Sequence, residues 1–409
     1  MTAGAEQPTT KPGSVPARPA PLPPESAHRH ELNREVHARP FVRLHAPERA
    51  THLAMHTGED GVEDDIRHLH ALCARYDVAP PPTDVNHAIL DFGAFRMKWE
   101  RHTEFCSYTF FVDGDLPDDP FSAPAINALP QDWVQAMPGE LLVAVNLILE
   151  PKHAAKRPPD TVPEIMTTGN FAASEVTGGA ATAFMDFAID ANGFGRIYVR
   201  DHGLRPRQAG RLVQRLLEIE TYRMMALLAL PLARKYGRKL SDLGERLSEI
   251  AGGIGALTNL KQERDLLSEL TALSAETERI AAETAYRFSA ARAYYALVER
   301  RIESLREERV EGFQTVNEFM DRRMAPAMRT CEAVQERQTN LSERVNRTSQ
   351  LLRTRVDIQL EEQNANVLNS MDRRAKLQLR LQETVEGLSV AAITYYAVGL
   401  VDYVGKAVT

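Results

Sequence analysis

The chain of 409 residues holds only three cysteines, Cys73, Cys106 and Cys331, which lie far apart and make no C-x-x-C pair. An odd, scattered set excludes a disulfide framework and a zinc finger, and it suits a reducing cytosol. Positive charge is not in excess: the net charge of −7 gives no general electrostatic reason to bind nucleic acid. The first 27 residues, "MTAGAEQPTTKPGSVPARPAPLPPESA", have almost no large apolar side chains and lack the apolar stretch of a secretory signal. They read as a Pro-rich disordered arm on a cytoplasmic N-terminus. Phosphate-binding loops are missing too. "GLVDYVGK" places five residues between Gly399 and Gly405 where four are needed, and Ala407 stands where Ser or Thr should follow the lysine. "NGFGRI", with Gly193 and Gly195, has the chemistry of a hairpin turn. Nothing in the chain calls for a cofactor.

What is present is ordinary globular composition, 43% hydrophobic and 26% charged, in a chain long enough for two or three domains. Over residues 28–203 the dominant period is two. "ATHLAMHT", "FRMKWERH", "TEFCSYTFFV", "ELLVAVNLILE", "TAFMDFAID" and "GRIYVRD" read as strands. Between the first two, "VEDDIRHLHALCARY" places Ile66, Leu69, Leu72 and Cys73 on one helical face, with acidic residues in the first turn. The expectation is an α+β N-terminal domain.

At "GLRPRQAGRLVQRLLEIETYRMMALLALPLARKY" the period changes to 3.6. Pro206 suits a first helical turn, and Leu212, Leu216, Ile219, Arg223 and Ala226 follow on one face. Beyond it, Leu240, Leu243, Leu247, Ile250, Ile254 and Leu257 step by three and four. After the polar break "TNLKQERD" the same rhythm runs from Leu270 through Leu273, Thr277, Ile280, Thr284, Phe288, Ala291, Tyr295, Val298 and Ile302 to Leu305. Two such runs predict an antiparallel coiled-coil hairpin, with Pro326 ending or kinking the second arm. A third helix follows, with a seam of Leu341, Val345, Thr348, Leu352, Val356, Leu360 and Val367 that Gln363, Asn364 and Asn366 make polar. Residues 204–386 thus read as a long α-helical coiled-coil stalk, self-associating into a homo-oligomer.

Residues 387–409 form the last segment, expected to be a short membrane-associated helix. From Leu388 to Val404 a helix spans about 26 Å against a hydrocarbon core of ~30 Å. Its apolar residues include Leu388, Val390, Ile393, Tyr395, Tyr396, Val398, Leu400 and Val401. Arg373, Arg374, Lys376 and Arg380 precede them, on the side that stays cytoplasmic and meets anionic headgroups. Gly387, Ala391, Tyr395 and Gly399 share a stripe that lets helices approach closely. The competing reading is a buried terminal helix of the bundle.

The blocks "LNREVHARP", "FRMKWERHTEF", "PGELLVAV", "GLRPRQAGRLVQRLLEIETYRMMALLALP", "TAYRFSAARAYYALVERRIESLREER", "MAPAMRTCEA" and "LQLRLQETVEGLSVAAITYYAVGLV" resemble a bacterial family, domain of unknown function 3422, described as predicted membrane-anchored proteins. The resemblance covers nearly everything after residue 30. It implies an inner-membrane anchor near the C-terminal end and carries no activity. A second apolar segment often follows in that family and is missing before Thr409, so a single pass or a monotopic helix is expected.

Ten of the twelve histidines precede residue 103, yet none forms an H-x-x-x-H pair on a helix. One row merits weighing. If "KWERHTEFC" continues as a strand, Glu100, His102 and Glu104 share a face and could hold a divalent cation or act in acid-base work, against the commoner reading of an ion-paired sheet face. The basic run "RVNRTSQLLRTR" is interleaved with acids and has no aromatics, so it reads as a solvated helix face. The expected function is a non-enzymatic, membrane-anchored scaffold or sensor, with most of the chain in the cytoplasm. Two alternatives remain: an ion-transporter-like oligomer with the layout of the CorA magnesium channels, although no Gly-Met-Asn loop exists here, and a metal-dependent enzyme built on the Glu100, His102 and Glu104 row.

Overall fold

The structure, a computed structural model, describes residues 23–29, 32–33, 40–58, 62–152, 162–256 and 260–408. The Pro-rich arm lies almost wholly outside them. The chain divides into two compact units, Met1–Phe171 with Gly179–Gln214, and Ala172–Gly178 with Arg215–Thr409. An α+β part is followed by long helices.

The first unit contains β1 (Glu48–His56), α1 (Val62–Arg75), β2 (His87–Asp91), β3 (Arg96–Arg101), β4 (Phe105–Asp113), α2 (Gln131–Gln135), β5 (Glu140–Glu150), α3 (Val162–Ile165), β7 (Ala181–Met185), β8 (Gly195–Asp201) and the first turns of α4 (Pro206–Leu227); β6 (Ala172–Val176) belongs to the second. Seven strands align in the order β2-β3-β4-β1-β5-β8-β7. Every pairing among them is antiparallel except β5 with β8.

Alternation along each strand decides what each sheet face carries. Leu53, Met97, Trp99, Tyr108 and Phe110 project to one side and pack with Leu69, Leu72 and Cys73 of α1 and Trp133 of α2. The stripe read in α1 is therefore the stripe that is buried. On the other face Lys98, Thr109 and His52 lie in register across β3, β4 and β1. All three are buried, which is unusual for such a polar row.

Strands β2 and β6 lie outside the expected runs, and β7 is shorter than "TAFMDFAID". It stops at Met185 because the Asp186 carboxylate accepts hydrogen bonds from the amides of Thr167 and Ala188, and Phe187 turns to a positive φ of 54°.

In the second unit α5 (Ala229–Gly253) and α6 (Leu260–Leu305) run antiparallel, as the pairs Arg246–Glu269 and Lys239–Glu276 show. The expected seam positions Leu240, Leu243, Leu247 and Ile250 are buried, as are Leu270, Leu273, Thr277, Ile280, Thr284, Phe288, Ala291, Val298, Ile302 and Leu305; Ile254 and Tyr295 are half-buried, and Leu257 lies outside the described residues. Threonine is tolerated in that seam because the Thr277 and Thr284 hydroxyls donate to the carbonyls of Leu273 and Ile280, at 2.8 and 2.7 Å.

Pro326 does not end the second arm. Arg306, at φ 52°, closes α6 at Leu305, and the chain then forms β9 (Glu308–Arg309), which pairs with β6, and α7 (Val316–Arg323). Thr315 and Glu318 make a capping box at the start of α7. Pro326 instead sits in the first turn of α8 (Ala325–Val408), where its missing N–H costs nothing.

Helix α8 has 84 residues, about 126 Å of helix. It packs along α5 and α6 through Leu341, Val345, Leu352 and Val356. The expected seam ends sooner than its spacing implies: Leu360 is half-buried, and Val367, Gln363, Asn364 and Asn366 are exposed. The C-terminal apolar segment is not a separate short helix. It is the end of α8 itself.

Candidate functional site

The row Glu100, His102 and Glu104 does not form as a strand face. Strand β3 stops at Arg101, and His102 to Glu104 make the turn into β4, with the His102 amide donating to the Phe105 carbonyl at 2.8 Å. Each side chain takes a different partner. Glu100 pairs with buried Lys98 at 3.0 Å, His102 stacks on Phe105 with ring centroids 4.0 Å apart, and Glu104 approaches His56 Nε2 at 3.9 Å. Among the described residues no group of three His, Cys, Asp or Glu side chains is placed to hold a metal ion. The polar side chain nearest in register to Lys98 on this face is Thr109, whose hydroxyl meets His52 Nδ1 at 2.8 Å. Burial, aided by the charge of Lys98, lowers the His52 pKa to about 3, so the ring is neutral.

A second polar centre surrounds Asp65, fully buried on α1. Trp99 Nε1 donates to its Oδ2 at 2.9 Å, the Cys106 thiol at 2.6 Å and the Tyr108 hydroxyl to Oδ1, while Arg101 Nε stands 3.8 Å away. Burial first, and then the Asp65 charge, pushes the Cys106 thiol and the Tyr108 phenol well above their ordinary pKa values. Neither is a nucleophile in that state. The arrangement ties α1 to β3 and β4 through hydrogen bonds to one carboxylate, which is a fold-holding role.

Among the described residues the last turns of α8 are exposed. Leu388, Val390, Ile393, Tyr395, Tyr396, Val398, Leu400 and Val401 are each more than 60% exposed, so the buried-bundle reading does not describe them. Among the described residues one helix is long and apolar enough to cross a membrane by length and composition, with a window of mean hydropathy 1.4 and none of it buried. Arg373, Arg374, Lys376 and Arg380 are exposed on the preceding turns, and Lys376 pairs with Asp372 at 2.7 Å. Asp402, the acid within the run, is paired with Lys406 at 2.8 Å.

One arginine-rich cleft in the first unit escaped the reading of residues along the chain. Arg43, His45, Arg205, Pro206, Arg207, Gln208 and Arg211 line a space of about 670 Å³. The available signal was the i, i+4 pair Arg207 and Arg211 just inside the helix start at Pro206. Its other wall, Arg43, comes from a distant segment, and only the fold brings the two together.

No curated protein and no solved structure matches the chain. A family model does, over residues 24–409, and its description is a protein of unknown function. With nearly the whole chain covered, including the sheet, the helices and the apolar end of α8, this protein belongs to the DUF3422 family.

Proposed function

We propose that the protein is a non-enzymatic scaffold or sensor held at the cytoplasmic face of the bacterial inner membrane by the end of α8. The observation that carries this reading is the uncovered apolar run of α8. A helix that is apolar all round is stable only when something apolar surrounds it. Each large side chain gains about 1.5–3 kcal/mol when taken out of water, and from Leu388 to Val401 no charge opposes that transfer. The Asp402–Lys406 pair lowers the cost at the far end, and the basic residues from Arg373 to Arg380 suit a cytoplasmic flank. In the same reading the exposed part of α8, with Val367, Met371, Leu381 and Val385 uncovered, associates with a second copy as a coiled coil.

The test is fractionation with alkaline carbonate. The full chain is expected to stay with the membrane pellet, and a chain lacking residues 387–409 is expected in the supernatant; full-length protein in the supernatant would remove the anchor. Tags placed at the N-terminus and after Thr409 distinguish a single pass from a helix lying in the interface. A single pass exposes only the C-terminal tag to periplasmic reagents.

A further inference from the structure

The arginine-rich cleft is built by a close approach of two backbones. The segment from Phe41 to His45 lies across the first turns of α4, and the Leu44 amide donates to the Pro206 carbonyl at 3.2 Å. Gly210 makes room for it: a Cβ there would lie 1.7 Å from the Val42 carbonyl oxygen. With Val42 and Leu44 turned into the core, Arg43 and His45 are turned outward by the alternation of an extended chain. Arg207 and Arg211, one helical turn apart, share the neighbouring face of α4, and Arg205 precedes them. Arg211 is steadied by the Phe41 ring, its guanidinium 5.1 Å from the centroid.

Two features distinguish this cluster from ordinary surface charge. Among the described residues no carboxylate lines the cleft, in a chain with 56 acidic and 49 basic residues. Among the described residues the Arg43, Arg205 and Arg207 side chains also have no hydrogen bond or ion pair, whereas Arg96 close by is fully engaged with Glu48 and Asp113. Four arginines lining one open cleft, with no carboxylate among the described lining residues, make its potential positive, and an anion bound there lowers it.

We propose that this cleft binds a ligand through a phosphoryl group. A carboxylate is satisfied in one plane by one arginine fork. A phosphoryl group presents several oxygens around a tetrahedral centre and can accept forks from two walls at once, here Arg43 on one side and Arg205, Arg207 and Arg211 on the other. The cleft volume is within the range of sites for small molecules. Two sources carry this chemistry, a soluble phosphate ester or polyphosphate and a phospholipid headgroup. The proposal does not rest on the membrane anchor, because binding is read on the detergent-solubilised chain.

Calorimetric titration of the full chain with pyrophosphate, and separately with dihexanoyl phosphatidylglycerol below its micelle concentration, tests it. Wild-type protein is expected to bind at least one probe, with affinity that falls as salt rises. The double variant Arg43→Gln, Arg207→Gln removes no intramolecular partner and is expected to fold, as read by an unchanged melting profile. It should bind roughly 100-fold more weakly, about tenfold per lost charged hydrogen bond. Arg264→Gln, which makes the same type of charge change at an exposed position of α6, should bind as wild type. Tighter binding of pyrophosphate assigns a soluble ligand, and tighter binding of the lipid assigns a headgroup; either supports the proposal. If neither probe binds, or if the double variant binds as well as wild type, the proposal is overturned.

Discussion

Replacing Gly210 by alanine sets a general rule against a local contact. In an exposed helix interior the change should stabilise by about 1 kcal/mol, because glycine has more backbone freedom to lose. At Gly210 the new methyl would overlap the Val42 carbonyl oxygen, 1.7 Å away, and would also lie 3.3 Å from the Phe41 ring. Neither atom is the tip of a flexible side chain, so the segment from Phe41 to Leu44 must move off α4 by roughly 1.5–2 Å to restore contact distance. That movement loses the hydrogen bond from the Leu44 amide to Pro206, worth ~1 kcal/mol, and part of the burial of Val42 and Leu44, worth about 1.5–3 kcal/mol each when complete. Set against the helix gain, the net loss is about 2–4 kcal/mol. The chain has two units, so one melting temperature is a poor measure, and hydrogen exchange resolved to the peptide containing Leu44 is better. Exchange there should quicken by roughly 30- to 1,000-fold at about 1.4 kcal/mol per factor of ten. Gly244→Ala on α5, where an added Cβ meets nothing within 4 Å, should slow exchange in its own helix. If Gly210→Ala leaves the Leu44 amide as protected as before, the close approach is not what holds this segment.

Three further outcomes follow from buried groups. Asp65→Ala leaves Trp99, Cys106 and Tyr108 without their acceptor and Arg101 without a nearby counter-charge, and should cost about 3–5 kcal/mol, while Asp64→Ala, at an exposed neighbour, should cost under about 1 kcal/mol; tryptophan-monitored denaturation compares them. Burial, opposed by Arg96, raises the Glu48 pKa from 4.5 to about 8, so between those values the folded chain holds a proton that the unfolded chain has released. Its contribution is therefore fully present below pH 4.5 and is lost as pH rises through about 8, at most ~1.4 kcal/mol per pH unit, and Glu48→Gln should flatten that slope in denaturant titrations at each pH. Ile280→Asp places an unpaired charge at a fully buried position of α6 and should lower helicity or melting of the second unit; unchanged circular dichroism and melting would mean that the position tolerates water.

The long helices were legible because their signal repeats. From Leu270 to Leu305 the three-and-four rhythm persists over many turns, and the two threonines within it do not break it, since each hydroxyl finds a carbonyl one turn back. The main strands were legible for the same reason, alternation sustained over six or more residues. "HAILD" in β2 is too short to show a period, and "AASEV" in β6 is mostly small residues. The Glu100, His102 and Glu104 row failed because a period of two can run through a tight turn in sequence while the backbone reverses there. The arginine cleft was illegible for a different reason. Arg43 and Arg207 become neighbours only through Gly210, and no local pattern records which distant carbonyl a glycine admits.

Helix α8 has a mechanical consequence. From Ala327 to Glu386 it contains neither glycine nor proline, so no residue provides a hinge, and the first such residue is Gly387, at the edge of the apolar run. Bundle seam and apolar end are therefore locked in rotational phase like the two ends of a shaft. Removing one residue between Leu360 and Gly387 would turn the apolar end by ~100° relative to the seam, whereas removing seven, close to two full turns, would draw it in by about 10 Å and nearly restore the phase. Torque applied at one end of α8 arrives at the other, and the length of the bare segment determines which stripe of the apolar end aligns with Leu352 and Val356.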